Sequence, residues 1–296
     1  MKKPIFTGAA TAIITPFTHD GVDFDKLASF CEFQISHHID AIVVAGTTGE
    51  SSTMPDEEHL AVIRHVVETV NGRVPVIAGT GSNDTRHAVE LSQKACRFNI
   101  DGLLCVTPYY NKTTQEGLYR HFKAVHDQTD KPIILYNVPS RTNLNIDPET
   151  IIRLAELPRI NGIKECHLEQ TADVMVCCQG NLNIYTGEDP MILPMLSLGG
   201  RGVISVISNV VPDLTHEITA AWFSGDTGRA AQLQIQLTPL IRALFAEVSP
   251  IPVKAALNLM GMDIGECRMP LYGPAPATLA RIESVLRDLD LIGDAR

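Results

Sequence analysis

VPVIAGTGSN, residues 74–83, is a short apolar, β-leaning run that ends in small polar and glycine residues. The chain repeats that pattern. AIVVAGTTGE covers 41–50, GLLCVTPYYN 102–111 and PIILYNVPSR 132–141, and INGIK at 160–164 runs into Glu165 and Cys166. GAATAIITPF (8–17) comes before them, and LNIYTG (182–187) and GVISVIS (202–208) come after. Apolar runs without strict alternation suit strands buried on both faces, as parallel strands are. Between them lie segments with helical spacing. Leu27, Phe30, Cys31, Phe33 and Ile35 form one stripe; Leu60, Ile63, Val67 and Val70 form another behind Pro55 and the acidic Asp56, Glu57 and Glu58. Ala88, Leu91 and Ala95, then Leu118, Phe122 and Val125, then Ile151, Leu154 and Leu157, then Val174 and Val176 continue the series. Eight such strands at intervals of roughly 20 to 35 residues predict an α/β fold of the TIM (β/α)8 barrel type. A doubly wound open sheet is the competitor, but no GxGxxG follows the first strand.

Residues 209–296 read as helical, in ITAAWFSGD, AAQLQIQLTPLIRALFAE, VKAALNLMGM and ATLARIESVLRDL. One helix closes the barrel, and the others form a C-terminal helical appendage packed on the barrel or on another subunit. The expected division is a catalytic barrel over 1–224 and a helical region over 225–296.

The 34 acidic against 24 basic residues give a formal charge of -10, and the basic residues are scattered. Nucleic acid is therefore not an expected partner. No apolar stretch is long enough for a signal-peptide core or a bilayer span, so no membrane association is expected. Seven cysteines, odd in number and mostly inside apolar segments, suit reduced thiols in a cytoplasmic protein. With neither a CxxC pair nor an HExxH helix, no metal site is expected, and His37, His38, His87 and His121 read as surface or partly buried side chains.

A barrel of this kind builds its active site from the loops at the C-terminal ends of its strands. Thr47 and Thr48 follow the second strand, Thr80 and Gly81 the third, Tyr109 and Tyr110 the fourth. Tyr136 ends the fifth with Arg141 beyond it, Lys164 ends the sixth, Gly187 and Glu188 follow the seventh, and Ile204 and Ser205 close the eighth. A lysine desolvated at that mouth is pushed towards its neutral, nucleophilic form and can condense with a ketone or aldehyde. Tyr136 can move protons to and from the carbinolamine, Thr47 with a nearby tyrosine can extend the relay, and Arg141 offers a planar fork to a carboxylate. Each has a plainer reading. Lys164 or Arg141 could pair with Glu165, Tyr136 could pack its ring, the threonines could cap a turn, and Tyr109 and Tyr110 could form an interface patch.

GTTGES (46–51), TPYYNK (107–112), QEGLYRHF (115–122), YNVPSRT (136–142), GIKE (162–165) and GVISV (202–206) resemble, in this order and over nearly the whole chain, the dihydrodipicolinate synthase family of pyruvate-dependent class I aldolases and lyases. The resemblance implies a Schiff base between Lys164 and pyruvate, attack of the enamine on aspartate-4-semialdehyde, and cyclisation that releases a heterocycle of the diaminopimelate and lysine pathway. No cofactor is implied. Tyr136, Thr47 and Tyr110 would form the proton relay, Tyr110 reaching across from a neighbouring subunit; Thr48 would hold the pyruvate carboxylate, Gly187 and Ile204 would line the pocket, and Arg141 would take the carboxylate of the aldehyde. A homotetramer built as a dimer of dimers is implied as well. The Thr-Thr pair and Arg141 separate the chain from the usual sialic-acid lyases; the alternatives are another pyruvate-dependent class I aldolase or lyase, either N-acetylneuraminate-lyase-like or acting on 2-keto-3-deoxy sugar acids, and further off a non-catalytic pyruvate-binding barrel. Two departures bear on this. Cys166-His167 stand where Ala-Ser is usual, and Asn143 stands where glycine is common. Lysine-inhibited relatives carry glutamate at the place of His87 and histidine at the place of Asp56, so although Ser51, His59, Asn83 and Tyr109 match, weak or absent inhibition by lysine is expected.

Overall fold

The computed structural model describes residues 2–178 and 180–293. Eight parallel strands close into a barrel, as the sequence predicts: β1 (Gly8–Ala12), β2 (Ala41–Val44), β3 (Val76–Gly79), β4 (Gly102–Val106), β5 (Ile133–Asn137), β6 (Ile160–Glu165), β7 (Asn183–Thr186) and β8 (Gly202–Ser205). Each lies beside its sequence neighbours, and β8 pairs with β1 through Gly8↔Gly202 and Ala10↔Ile204. The outer ring is α1 (Phe24–Ser36), α2 (Asp56–Val70), α3 (Thr85–Ala95), α4 (Gln115–Gln128), α5 (Pro148–Ala155), α6 (Thr171–Cys178), α7 (Ile192–Ser197) and α8 (Pro212–Ser224). Polar side chains start several of these helices. Asp23, Asp84 and Thr114 each accept a hydrogen bond from a first-turn backbone N–H. Among the described residues, no helix is long and apolar enough to cross a membrane.

Two apolar layers follow from the period of two along each strand. Ile42, Val44, Ala78, Leu103, Cys105, Leu135 and Ile163 point outward and pack under the helices. Ala10, Ala12, Val43, Ile77, Leu104, Ile134 and Ile204 point inward and fill the barrel. Tyr185 blocks the lower end, where its ring stacks on Phe6 at 4.3 Å and its hydroxyl donates to the Phe6 carbonyl at 2.8 Å. Gly162 makes room for that ring, since a Cβ there would stand 3.3 Å from Tyr185 Cε2 and 2.6 Å from the Asn183 carbonyl. The barrel is thus a packed core with its opening at the strands' C-terminal ends.

Several sequence expectations need correction. The first strand stops at Ala12 rather than Phe17, and Phe17–Thr18 instead pairs antiparallel with Gly21–Val22. On α6, Val174 is buried but Val176 faces solvent, because two residues' separation turns a helix to its opposite side. The run 230–247 is two helices, α9 (Thr227–Gln236) and α10 (Thr238–Leu244), broken ahead of Pro239, which cannot continue a helix from within. α11 (Ile251–Leu259) and α12 (Pro276–Asp288) complete the chain. His121 is fully inside rather than at the surface; burial pushes its imidazole down to about 4, and Nδ1 lies 2.9 Å from Thr85 Oγ1.

Candidate active site

The register of β5 and β6 places Tyr136 opposite Lys164, and Val106 on β4 opposite Tyr136. Residues paired in this way share a face, so both functional side chains enter the barrel. Lys164 is 6% exposed, and its Nζ stands 4.3 Å from the centre of the Tyr136 ring. Burial lowers the lysine's pKa, against smaller opposing effects of Cys166, Glu188 and Asp189, and so favours the free amine. The Tyr136 phenol moves the other way. Burial raises its pKa, with Arg141 and a contact to the Thr47 side chain offsetting part of the rise. An amine leaning neutral beside a phenol that stays protonated is a nucleophile next to a proton donor.

The plainer reading of Lys164 fails on strand geometry. Glu165 is the next residue, so its side chain leaves by the opposite face of the sheet. There it accepts hydrogen bonds from Asn137 Nδ2 and Gln170 Nε2, each at 2.9 Å, and from the His167 backbone N–H at 2.7 Å. Burial pushes this carboxyl up to about 7. Arg141 does not pair with Glu165 either; its Nη2 reaches the Ser249 carbonyl at 3.4 Å.

Lys164 and Tyr136 open into a cavity of about 200 Å³, which Thr47, Thr48, Arg141, Gly187 and Glu188 also line. Gly187 is there for lack of a side chain. A Cβ at that position would stand 2.6 Å from Lys164 Cε and would also collide with Cys166 Sγ. Gly187→Ala is therefore expected to displace the amine, lowering kcat/KM by roughly 10²-fold, the size of effect that an ångström's misplacement brings. Steady-state rates with a thermal melt as control check this; an unchanged kcat/KM would refute it.

Two of the expected site residues do not line this chain's own cavity. Ile204 is fully buried in the barrel's interior layer, while Val206, two residues on, lines the cavity. Tyr110 is 92% exposed, with φ of 69° in the left-handed region that a tyrosine adopts only at a cost, and it does not line the cavity. The two departures in sequence also find their places. Asn143 has φ of 51° at the end of the turn Pro139–Thr142, a conformation that asparagine tolerates next best after glycine. His167 faces Asn145, with Nδ1 3.3 Å from Oδ1, outside the cavity lining.

The C-terminal region supplies what sequence reasoning missed. Phe245 and Ser249 form part of the cavity wall. Lys254 on α11 pairs with Glu50, in the same loop as Thr47 and Thr48, at 2.6 Å, with both side chains essentially inaccessible to solvent. Glu50 Oε2 accepts the Arg268 backbone N–H at 2.8 Å, and the Arg268 guanidinium forks onto Glu58 at 2.5 and 2.7 Å. Phe17 fills the space between, its ring 4.3 Å from Lys254 Nζ and 4.0 Å from the Arg268 guanidinium carbon. The threonine loop is clamped from the far end of the chain.

A barrel mouth that holds a desolvated lysine, a protonated tyrosine and an arginine fork has the parts of an imine-forming aldolase or lyase. A profile of the Dihydrodipicolinate synthetase family matches residues 5–288. A 4-hydroxy-tetrahydrodipicolinate synthase of Acetivibrio thermocellus is 55% identical over 292 residues, 99% of this chain and 100% of its own. The crystal structure of dihydrodipicolinate synthase from Aquifex aeolicus superposes with a TM-score of 0.95 at 41% identity, covering 98% of this chain and all of its own. The chloride-inhibited dihydrodipicolinate synthase from Acinetobacter baumannii, crystallised in complex with pyruvate, gives 0.94 at 40% identity over 97% and 99% of the two chains. The chain belongs to the dihydrodipicolinate synthetase family.

Proposed function

We propose that this chain condenses pyruvate with L-aspartate-4-semialdehyde, the reaction of 4-hydroxy-tetrahydrodipicolinate synthases in diaminopimelate and lysine biosynthesis. The observation that carries the proposal is the buried Lys164 amine, 4.3 Å from the Tyr136 ring in a cavity that also holds Thr47, Thr48 and Arg141. The amine adds to the pyruvate ketone; the carbinolamine loses water, with Tyr136 moving the proton, and leaves a protonated imine. Loss of a methyl proton gives the enamine. Its carbon attacks the aldehyde, and the amino group of the new chain then adds to the imine carbon and expels Lys164 as the cyclic product forms.

Thr48 holds the pyruvate carboxylate, and Arg141 takes that of the aldehyde. Gly187 leaves space for the lysine, and Ile204 supports the cavity from the layer that lines the barrel. Thr47 extends the relay from Tyr136 to Tyr110 of a neighbouring subunit, which gives the exposed, strained Tyr110 a purpose. The working form is a cytoplasmic homotetramer, with 1–224 as the catalytic barrel and 225–296 as the helical region that braces it. The purified chain should consume pyruvate only when aspartate-4-semialdehyde is supplied, and release a product that dihydrodipicolinate reductase reduces with oxidation of NADPH. Turnover of sialic acid or 2-keto-3-deoxy acids in its place would overturn the reading.

Control by lysine is expected to be weak. His87 Nε2 lies 2.9 Å from Asp56 Oδ1 and its Nδ1 3.0 Å from Ser82 Oγ, so the one carboxylate there already has a partner. A dose-response curve should show less than half inhibition at 1 mM lysine, about the upper end of ordinary metabolite-range constants; sub-millimolar inhibition would contradict this.

A further inference from the structure

On the face of the sheet turned away from the cavity, the residues that follow Tyr136 and Lys164 along β5 and β6 are bound to each other. Asn137 Nδ2 donates to Glu165 Oε1 at 2.9 Å. The two side chains inside the barrel have no such bond: among the described residues Lys164 makes no side-chain hydrogen bond, and its amine rests 4.3 Å from the centre of the Tyr136 ring. The outer pair is held firmly in turn. Gln170 Nε2 donates to Glu165 Oε2 at 2.9 Å and to the Ile146 carbonyl at 3.1 Å, while Asn137 Oδ1 accepts the Ile146 N–H at 3.0 Å. Asn137, Glu165 and Gln170 are all buried.

The ladder between these strands is irregular. Ile133 pairs with Ile160 but Ile134 pairs with Gly162, so Asn161 is an extra residue in β6 and every later pair is set one residue on. Without that bulge Tyr136 would face Ile163, and Lys164 would leave by the outer face, because a slip of one residue turns a strand over. The observed register pairs Tyr136 with Lys164 and Asn137 with Glu165. Only in this register does the Asn137 amide meet the Glu165 carboxylate. A buried carboxylate is a costly way to fill space, and burial pushes this one up to about 7. Its three donors give it a use that an apolar pair lacks, since hydrogen bonds fix direction as well as distance. We propose that Glu165 is a positioning residue for imine formation: through Asn137 and Gln170 it holds the bulged register of β5 and β6, and with it the approach of the Tyr136 phenol to the Lys164 amine. This rests on the imine chemistry of the reading given above.

Timed borohydride quenching with mass spectrometry measures how fast the pyruvate adduct forms on Lys164, and at what pyruvate concentration that rate is half-maximal. Glu165→Gln keeps the shape but puts an NH2 group where an acceptor oxygen stood, so the three donors no longer all find a partner. It should slow the maximal rate of adduct formation by at least about tenfold and shift half-saturating pyruvate less than about threefold, because it disturbs the approach of the reacting groups and leaves the cavity lining untouched. Adding Gln170→Glu turns the amide and the carboxylate round, and should win back at least about threefold of the lost rate. A role in stability alone lowers the melting temperature and leaves the folded protein's rate where it was. A folded Glu165→Gln protein with the parent's rate, or one whose slowing the double variant does not relieve, would overturn the assignment of Glu165 alone. Should Glu165→Gln not fold, Glu165→Asp, which keeps the charge and loses the reach, is measured in its place, and an unslowed rate there overturns the assignment. If the unaltered protein forms no pyruvate adduct, the imine reading fails and the assignment falls with it.

Discussion

Lys164→Ala abolishes the borohydride-trapped pyruvate adduct and lowers kcat by at least roughly 10³-fold, because no other group in the cavity can form the covalent intermediate that divides the reaction into easier steps. The cavity holds tyrosine, threonine, serine, arginine and glutamate side chains, and none of these is an amine. Arginine does not rescue the variant, since its guanidinium stays protonated at any working pH. The barrel itself should survive the substitution. Lys164 makes no ion pair among the described residues, and its surroundings favour its uncharged form, so removing it strands no buried charge. The melting temperature should therefore move by only a few degrees while activity disappears. An adduct of pyruvate mass on any peptide of the Lys164→Ala protein would refute the assignment.

The lysine was legible because its evidence is local. A parallel strand buried on both faces writes itself as an apolar run, and a charged residue at the end of such a run stands out. The same locality set the limits. GAATAIITPF reads as one strand because Ile13, Ile14 and Phe17 are buried, yet the ladder ends at Ala12, where the Ile14 N–H turns to Asn209 Oδ1 at 3.1 Å. Apolar composition reports burial and does not report which partner takes the backbone hydrogen bonds. Gln34 shows the converse, a polar residue fully buried on α1 because Thr11 donates to it at 2.5 Å across the layer between strand and helix. The cavity wall at Phe245 and Ser249 was illegible for a third reason. Helical periodicity says that a C-terminal segment packs on something, but whether it packs on the mouth of the barrel or on another subunit is decided by contacts between distant parts of the chain.

Lys254→Met is expected to be the most destabilising single change outside the barrel's apolar core. The pair that it breaks is sealed, with side-chain exposures of 2% for Lys254 and 0% for Glu50. Burial lowers the lysine's pKa while Glu50 raises it, so the carboxylate is what keeps a cation tolerable there. Without the ammonium, Glu50 keeps the Arg268 backbone N–H at 2.8 Å but loses its counter-charge, and an unpaired charge at such depth costs about 3–5 kcal/mol. Urea unfolding should show the loss as a lower midpoint with little change in slope. Replacing both partners, as in Glu50→Gln with Lys254→Met, should recover much of the stability, because the desolvation of two charges disappears with them. It should not recover full activity. Glu50 has φ of 56° and stands in the loop where Thr15 Oγ1 also holds the Gly49 carbonyl at 2.7 Å, so the ion pair fixes the backbone that presents Thr47 and Thr48 to the cavity. A double variant as stable as the parent but with a raised KM for pyruvate would separate the two roles. A Lys254→Met protein within 1 kcal/mol of the parent, roughly the scatter of an exposed pair, would show that the clamp is not what holds the loop.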